Sequence, residues 1–217
     1  WPLKHLKQTK RYLLFFPFFL IGQILEKIVL KNIKCFFALS QEEINYLKKI
    51  SPDSRVKFQT MGIEEEYFKN MSKKSAREKL KMPINKKIFI FIGRINKEKG
   101  IKYLLDSMKD LKNIDLKIIG YTQSIDYFKE YSKKLNLKNV EFLGGVFGKK
   151  KMLYLSAADA LILPSSKEGA PVTIMEAFAR NLPVIATNAG GIPLMVKNRK
   201  NCLIIKEKDS KDIVRVV

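Results

Sequence analysis

Two carboxylates stand eight positions apart within residues 167–178, Lys-Glu-Gly-Ala-Pro-Val-Thr-Ile-Met-Glu-Ala-Phe. Glu168 follows the apolar run 160–163, which is typical of a buried strand, so we expect it on the loop at the strand's carboxyl end. Pro171 suits a helix start, where a missing N–H costs nothing, and this places Glu176 about one turn inside the helix. Free N–H groups at a helix start favour a phosphate, and a deeper carboxylate can accept two hydroxyls of a ribose. The spacing predicts a nucleotide-sugar site.

Six apolar, β-branched-rich segments alternate with helical patterns around this motif. They are residues 88–93, 115–120, 140–143, 159–163, 183–187 and 202–205. Strands that are continuous hydrophobic runs favour a parallel sheet covered by helices on both faces. Such a doubly wound, Rossmann-like α/β domain binds ligands beyond the carboxyl ends of its strands, where the two carboxylates are expected.

Four motifs in order then resemble one family. The pair Glu168 and Glu176 resembles the E-x7-E motif of retaining family-4 glycosyltransferases, which have the GT-B fold. Gly93-Arg94 followed by Lys99-Gly100 resembles that family's GR…KG loop, and the stretches 140–144, 157–160, 181–187 and 190–193 are similar to its remaining strands and turns. The resemblance implies an enzyme that moves a sugar from a nucleoside-diphosphate-sugar donor to an acceptor hydroxyl, in polysaccharide, lipopolysaccharide or glycolipid synthesis.

The resemblance also implies roles for the charged residues. Arg94 and Lys99 are expected to bind the donor's phosphates and stabilise the departing nucleoside diphosphate. Glu176 is expected to hold the ribose, and Glu168 to lie beside the donor sugar. The sequence contains no Asp-x-Asp pair for a divalent ion, so we expect neither a metal nor another cofactor. The predicted catalytic residues are Glu168, Arg94 and Lys99.

Several residues at strand ends and at the helix start complete the predicted donor site. They are Gly93, Gly169, Val172, Thr173, Tyr121 and Val146. Gly169 allows the backbone to approach the sugar, or is only a turn residue. The N–H groups of Val172 and Thr173 are expected to meet the phosphates. Tyr121 either stacks on the nucleobase or is an exposed surface tyrosine.

The same family pattern predicts three segments. Residues 1–62 resemble the last part of an acceptor-binding domain, residues 63–85 an interdomain linker, and residues 86–217 the donor-binding domain. The chain opens on Trp1 and stops within a predicted helix, so we expect a fragment of a longer enzyme. His5 is either the family's cleft histidine or, more in keeping with its basic neighbours, a surface residue.

The formal charge of +21 leaves three interpretations open: a nucleic-acid surface, an anionic membrane surface, or a lysine-rich composition alone. The sequence has no arginine-aromatic cluster of an RNA-binding module, so we expect no nucleic acid. The basic, aromatic segment 3–20 predicts peripheral membrane contact, since the apolar stretch 12–25 is shorter than the roughly 20 residues of a membrane span. Cys35 and Cys202 are predicted to be buried and reduced, as in a cytoplasmic protein.

The sequence leaves open two functions other than that of an active transferase. One is a nucleotide-binding subunit of GT-B type that regulates a partner and catalyses nothing. The other is a basic Rossmann protein that binds nucleic acid, for which affinity would depend steeply on salt.

Overall fold

A computed structural model describes residues 12–69, 71–121 and 125–217, with side chains from Leu20 onward. The chain divides after Gln59 into two compact units. His5 and the first part of the predicted membrane segment lie outside the described residues. The functional assignment of the segments 1–62, 63–85 and 86–217 stays a prediction.

The described part of the amino-terminal unit, residues 12–59, holds two helices and a small sheet. Its elements are α1 (Tyr12–Lys31), β1 (Cys35–Ala38), α2 (Gln41–Ile50) and β2 (Arg55–Phe58). The two strands pair in parallel, with Cys35 opposite Arg55. Two side chains cap the start of helix α2: the Ser40 hydroxyl accepts the Glu43 N–H at 3.2 Å, and Glu43 Oε2 accepts the N–H of Leu39, just before the N-cap, at 2.7 Å.

The predicted burial of both cysteines is half wrong. Cys202 is buried, but Cys35 is exposed. Cys35 is the first residue of a strand in a two-stranded sheet, and no described element covers the face of the sheet on which it lies. The apolar stretch 12–25 and the residues after it form the single helix α1. No helix in the described part of the chain is long and apolar enough to span a membrane.

The carboxyl-terminal unit alternates strands and helices, as the periodicity predicts. Its strands are β3 (Lys87–Ile92), β4 (Ile114–Ile119), β5 (Val140–Gly144), β6 (Ala160–Leu163), β7 (Val184–Thr187) and β8 (Cys202–Ile205). Its helices are α3 (Lys73–Lys79), α4 (Ile101–Ser107), α5 (Ile125–Lys134), α6 (Gly148–Ala157), α7 (Val172–Ala179), α8 (Ile192–Met195) and α9 (Ser210–Val216), with 3-10 turns at Glu65–Phe68 and Lys97–Lys99.

All six of these strands are parallel, in the spatial order β5-β4-β3-β6-β7-β8. The chain enters at the central strand β3, builds outward to β5, and then crosses back to β6 on the other side of β3. Every residue of β6 and β7 is buried, as expected for strands covered on both faces. The switch in direction between β3 and β6 opens a crevice at the carboxyl edge, where doubly wound folds bind ligands.

A closed ionic cluster joins α3 to the opposite, amino edge of this sheet. The buried Arg77 donates from Nη2 to Asp159 Oδ2 at 2.7 Å. Its remaining hydrogen bonds go to the carbonyls of Ala157, Pro83, Ile84 and Lys86. Asp159 also accepts from Lys73 Nζ at 2.6 Å and from the Ile88 N–H at 2.7 Å. Burial raises the pKa of the Asp159 carboxyl, but the hydrogen bonds from Lys73 and Ile88 outweigh burial and hold the pKa below its ordinary value.

Candidate functional site

The loops that leave the strands at the carboxyl edge carry most of the residues selected from the sequence. Gly93 and Arg94 follow β3, Tyr121 follows β4 by two residues, Val146 follows β5, and Glu168 follows β6. Because parallel strands end at the same edge, residues distant in sequence share one side of the sheet.

Lys99 and Glu168 are brought into direct contact there. The 3-10 turn that carries Lys99 is capped by Asn96, whose Oδ1 accepts the Lys99 N–H at 3.0 Å. Lys99 Nζ lies 2.7 Å from Glu168 Oε2 and donates to the Lys167 carbonyl at 3.3 Å. The pair therefore joins the loops after β3 and β6 across the crevice.

Close backbone contact holds these two loops together. The N–H of Ser166 donates to the Glu98 carbonyl at 2.7 Å. Gly100 adopts a left-handed φ of 71°, and a Cβ there would lie 2.0 Å from the Pro164 carbonyl oxygen. Only glycine fits this approach, which gives the Lys-Gly dipeptide of the motif a steric reason.

Two further glycines, Gly190 and Gly191, support the loop that carries Glu168. Gly190 has a φ of 56°, and a Cβ there would lie 1.7 Å from the Glu168 carbonyl oxygen. The Gly191 N–H donates to the Gly169 carbonyl at 2.9 Å. This turn after β7 is thus structural, and it sets the position of residues 168–169.

Helix α7 begins beside the same loop. Pro171 occupies its N-cap without a side-chain cap hydrogen bond, and Val172 and Thr173 are its first two residues. The N–H groups of a first helical turn have no intrahelical acceptor and carry the positive end of the helix dipole. They supply a site for an anion, with Glu176 in the next turn.

Glu176 is 4 % exposed and is held by a residue that the sequence interpretation missed. Lys151 Nζ on α6 lies 2.6 Å from Glu176 Oε1. Glu176 Oε2 is buried and has no hydrogen-bond partner among the described residues. The Lys151 ammonium also lies 5.5 Å from the centroid of the Tyr67 ring, a cation–π contact.

These neighbours keep Lys151 charged. Burial lowers the pKa of Lys151, but its interactions with Glu176 and Tyr67 outweigh burial and raise the pKa above its ordinary value. Burial raises the pKa of the Tyr67 hydroxyl; Lys151 opposes this shift, and the nearby Glu176 carboxylate adds to it. At neutral pH the cluster therefore contains an ammonium beside a neutral phenol.

Nothing local distinguishes Lys151 in the sequence. It ends the run 149–151 of three lysines, of which the first two are exposed. Tyr67 belongs to the segment predicted as a linker, where an aromatic residue predicts packing rather than a site. A signal exists only in the helical register, which points Lys151 and not Lys150 at α7.

The remaining predicted residues are not drawn into this contact network. Arg94 is exposed and forms no ion pair or hydrogen bond with another described residue. Tyr121 is 71 % exposed, so a surface tyrosine and a stacking platform both stay open, and the side chain of Val146 is buried. Phe147, which was not selected from the sequence, is 79 % exposed at the N-cap of α6.

In the described ranges, no group of three or more histidine, cysteine, aspartate or glutamate residues could hold a metal ion. The edge instead offers an exposed arginine, a helix N-terminus and a buried carboxylate with one unoccupied oxygen. Cations and N–H groups suit phosphates, and the carboxylate oxygen suits a hydroxyl donor. The arrangement therefore suits a ligand that carries both phosphates and hydroxyls.

Comparison with known proteins agrees with this chemistry. The family model described as Glycosyl transferases group 1 matches residues 72–217. The putative teichuronic acid biosynthesis glycosyltransferase TuaC of Bacillus subtilis (strain 168) is 28% identical over 149 residues, covering 67% of this chain and 36% of that protein.

Solved structures show the same fold. Sucrose-phosphate synthase from Thermosynechococcus elongatus has a TM-score of 0.79 at 25% identity, covering 89% of this chain and 50% of its own. HepE of Anabaena, solved in complex with UDP and glucose, has a TM-score of 0.72 at 21% identity over 84% of this chain and 52% of its own. The chain spans about half the length of these two solved proteins, and 36% of the length of the Bacillus subtilis relative. The predicted fold class, α/β of GT-B type, is confirmed.

Proposed function

Because this chain belongs to the glycosyl transferases group 1 family, we propose that its carboxyl-terminal unit binds the nucleoside-diphosphate-sugar donor of a retaining sugar transfer. The acceptor is a hydroxyl of a growing polysaccharide, lipopolysaccharide or glycolipid. The relative named for teichuronic acid biosynthesis supports a cell-envelope product.

The contact between Lys99 and Glu168 carries this proposal. Lys99 Nζ and Glu168 Oε2, 2.7 Å apart, link the loops after β3 and β6. This is the point where the strand order reverses and where a doubly wound domain binds its ligand. The same edge holds the N-terminus of α7 and the open oxygen of Glu176.

Each group then has a task in the proposed transfer. The phosphates lie against Arg94, Lys99 and the first N–H groups of α7, which take up the negative charge that grows as the diphosphate departs, without a metal ion. Glu176 accepts the ribose hydroxyls, and Glu168 with Gly169 positions the sugar. The bond from the anomeric carbon to the diphosphate breaks as the acceptor oxygen bonds to the same face. The acceptor's proton passes to the departing diphosphate.

The test is calorimetric titration of the chain with UDP, GDP and ADP. UDP comes first, because a structural relative is solved with it. We expect one of the three to bind, and Glu176→Gln, which keeps the side-chain volume, to weaken that binding about tenfold or more, the worth of a charge-assisted hydrogen bond.

Absence of binding by a chain that shows a cooperative thermal melt would refute the donor site. Binding that Glu176→Gln leaves unchanged would place the diphosphate elsewhere. Measured hydrolysis of the matching nucleotide sugar separates an enzyme from a regulatory nucleotide-binding subunit.

A further inference from the structure

We propose that Lys151 is a positioning residue: it holds one oxygen of the Glu176 carboxylate so that the other oxygen faces the ribose hydroxyls of the donor. The inference rests on the proposed donor site and adds a residue to it that no motif selects. It concerns a contact between α6 and α7, the two helices that begin at the carboxyl edge after β5 and β6.

The geometry gives the two carboxylate oxygens different environments. Lys151 is the fourth residue of α6 and Glu176 the fifth of α7, so each lies one turn inside its helix. Lys151 Nζ lies 2.6 Å from Glu176 Oε1, and the two side chains are 19% and 6% exposed. Glu176 Oε2 is buried with no partner in the described part of the chain.

An unpartnered buried acceptor is unfavourable unless a donor reaches it. A ribose hydroxyl is such a donor, and it is neutral, so it does not compete with Lys151 for the carboxylate's charge. The two oxygens therefore have different tasks in this proposal: the Lys151 ammonium stabilises the charge at Oε1, beside the Tyr67 hydroxyl, and the buried Oε2 is the acceptor that a ribose hydroxyl would complete.

Tyr67 limits where the Lys151 ammonium can go. Its ring is buried, the ammonium lies 5.5 Å from the ring centroid, and the Tyr67 hydroxyl interacts with both Lys151 and Glu176. The segment that carries Tyr67 is itself held to α7 through Arg180, whose guanidinium donates to the Lys69 and Glu66 carbonyls. With an aromatic ring and a carboxylate as neighbours, the lysine side chain has few rotamers left.

The alternative roles of Lys151 predict different behaviour. If Lys151 only filled space or stabilised the fold, its loss would weaken every ligand equally. If it competed with the donor for Glu176, its loss would tighten binding. A positioning role predicts loss of the preference for a ligand that carries ribose hydroxyls.

The experiment compares each diphosphate with its 2′,3′-dideoxy analogue by calorimetry, using UDP, GDP and ADP. We expect the wild-type chain to prefer the ribose form of the diphosphate it binds by about tenfold or more. Lys151→Met should reduce this ratio to near one, as should Glu176→Gln. Lys151→Arg, which keeps the cation, should restore part of it.

Lys150→Met is the matched control, because Lys150 is the preceding residue and is exposed; we expect it to leave the ratio unchanged. Lys151→Gln, which loses the charge but stays polar, is measured beside Lys151→Met in case the latter folds poorly, with the same expected loss. A melt of each variant accompanies the titrations.

An unchanged ratio in folded Lys151→Met or Lys151→Gln, with the ratio lost in Glu176→Gln, would overturn the positioning role and leave the donor site standing. Tighter binding by either Lys151 variant would also overturn it. If the wild-type chain binds no diphosphate, the donor site fails and this inference fails with it.

Discussion

Two buried ion pairs stand at opposite edges of the same sheet and differ in how completely they are satisfied. At the amino edge, Arg77 and Asp159 have partners for both carboxylate oxygens and for all three guanidinium nitrogens. At the carboxyl edge, Lys151 and Glu176 leave one carboxylate oxygen without a partner in the described chain.

The difference separates a structural task from the binding task that we propose. The Arg77 cluster joins α3 and the residues before β3 to the start of β6, and every hydrogen bond it makes is internal. The Lys151–Glu176 pair is also largely buried, but it leaves one hydrogen-bond acceptor without a partner in the described chain, at the edge where doubly wound folds bind ligands. Buried charge alone therefore says little about function, and the open position is the informative feature.

The closed cluster should give the largest effect on stability when it is broken. Arg77→Met removes the buried cation that donates to Asp159 and to the carbonyls around it, so we expect the free energy of unfolding to fall by about 3–5 kcal/mol. Lys73→Met is the matched control: it contacts the same carboxylate from a half-exposed position, so we expect a loss of about 1 kcal/mol or less. Chemical denaturation measures both, and equal losses would contradict the comparison.

A substitution in the turn after β7 should displace the loop that carries Glu168. Gly190→Ala adds a Cβ that would lie 1.7 Å from the Glu168 carbonyl oxygen, at a φ of 56°. We expect a loss of about 1–3 kcal/mol in unfolding free energy, and weaker diphosphate binding as Glu168 is displaced.

Gly144→Ala serves as the control for this change. Gly144 has a φ of 70°, but nothing lies within 4 Å of an added Cβ. Gly144→Ala should therefore lower the free energy of unfolding only by the cost of a left-handed alanine, about 1–2 kcal/mol. If Gly190→Ala bound diphosphate as tightly as the wild type, the turn would not position Glu168.

The smallest stability effect is expected at the exposed end of the site. Arg94 has no partner among the described residues, so Arg94→Ala should change unfolding free energy by no more than about 0.5 kcal/mol. It should nevertheless weaken diphosphate binding about tenfold, since a cation at a phosphate is lost. Lys97→Ala, an exposed cation in the following turn, should change neither quantity. Equal losses of affinity in both variants would indicate a general charge effect rather than a contact.

The fold was largely predictable because its signals are local. Apolar runs marked all six strands of the main sheet, and glycine or proline marked the carboxyl ends of β3 to β6. Helix α4 ends earlier than its apolar face suggests: Met108 is its C-cap, although Met108 and Leu111 still pack on the core. Cys35 was mispredicted as buried, because an apolar run shows strand propensity but not whether another layer covers the strand.

The site was predictable only in part. The pair Glu168 and Glu176 and the residues Arg94 and Lys99 have spacings that the sequence displays, whereas Lys151 is one of three successive lysines. Arg77 and Asp159, 82 residues apart, carry no shared pattern at all. Their pairing depends on which strand and helix ends meet, and no local periodicity encodes that.

The sequence by itself determined the type and order of the elements and placed Glu168 on a loop and Glu176 inside a helix, since hydrophobic period and turn chemistry act over a few residues. Only the tertiary structure decided that Lys99 contacts Glu168 across the crevice, and that Lys151, 25 residues before Glu176, holds one of its two oxygens. These contacts arise because the return from β5 to β6 beside β3 brings distant loops to one edge, and because burial there makes each charge require a partner.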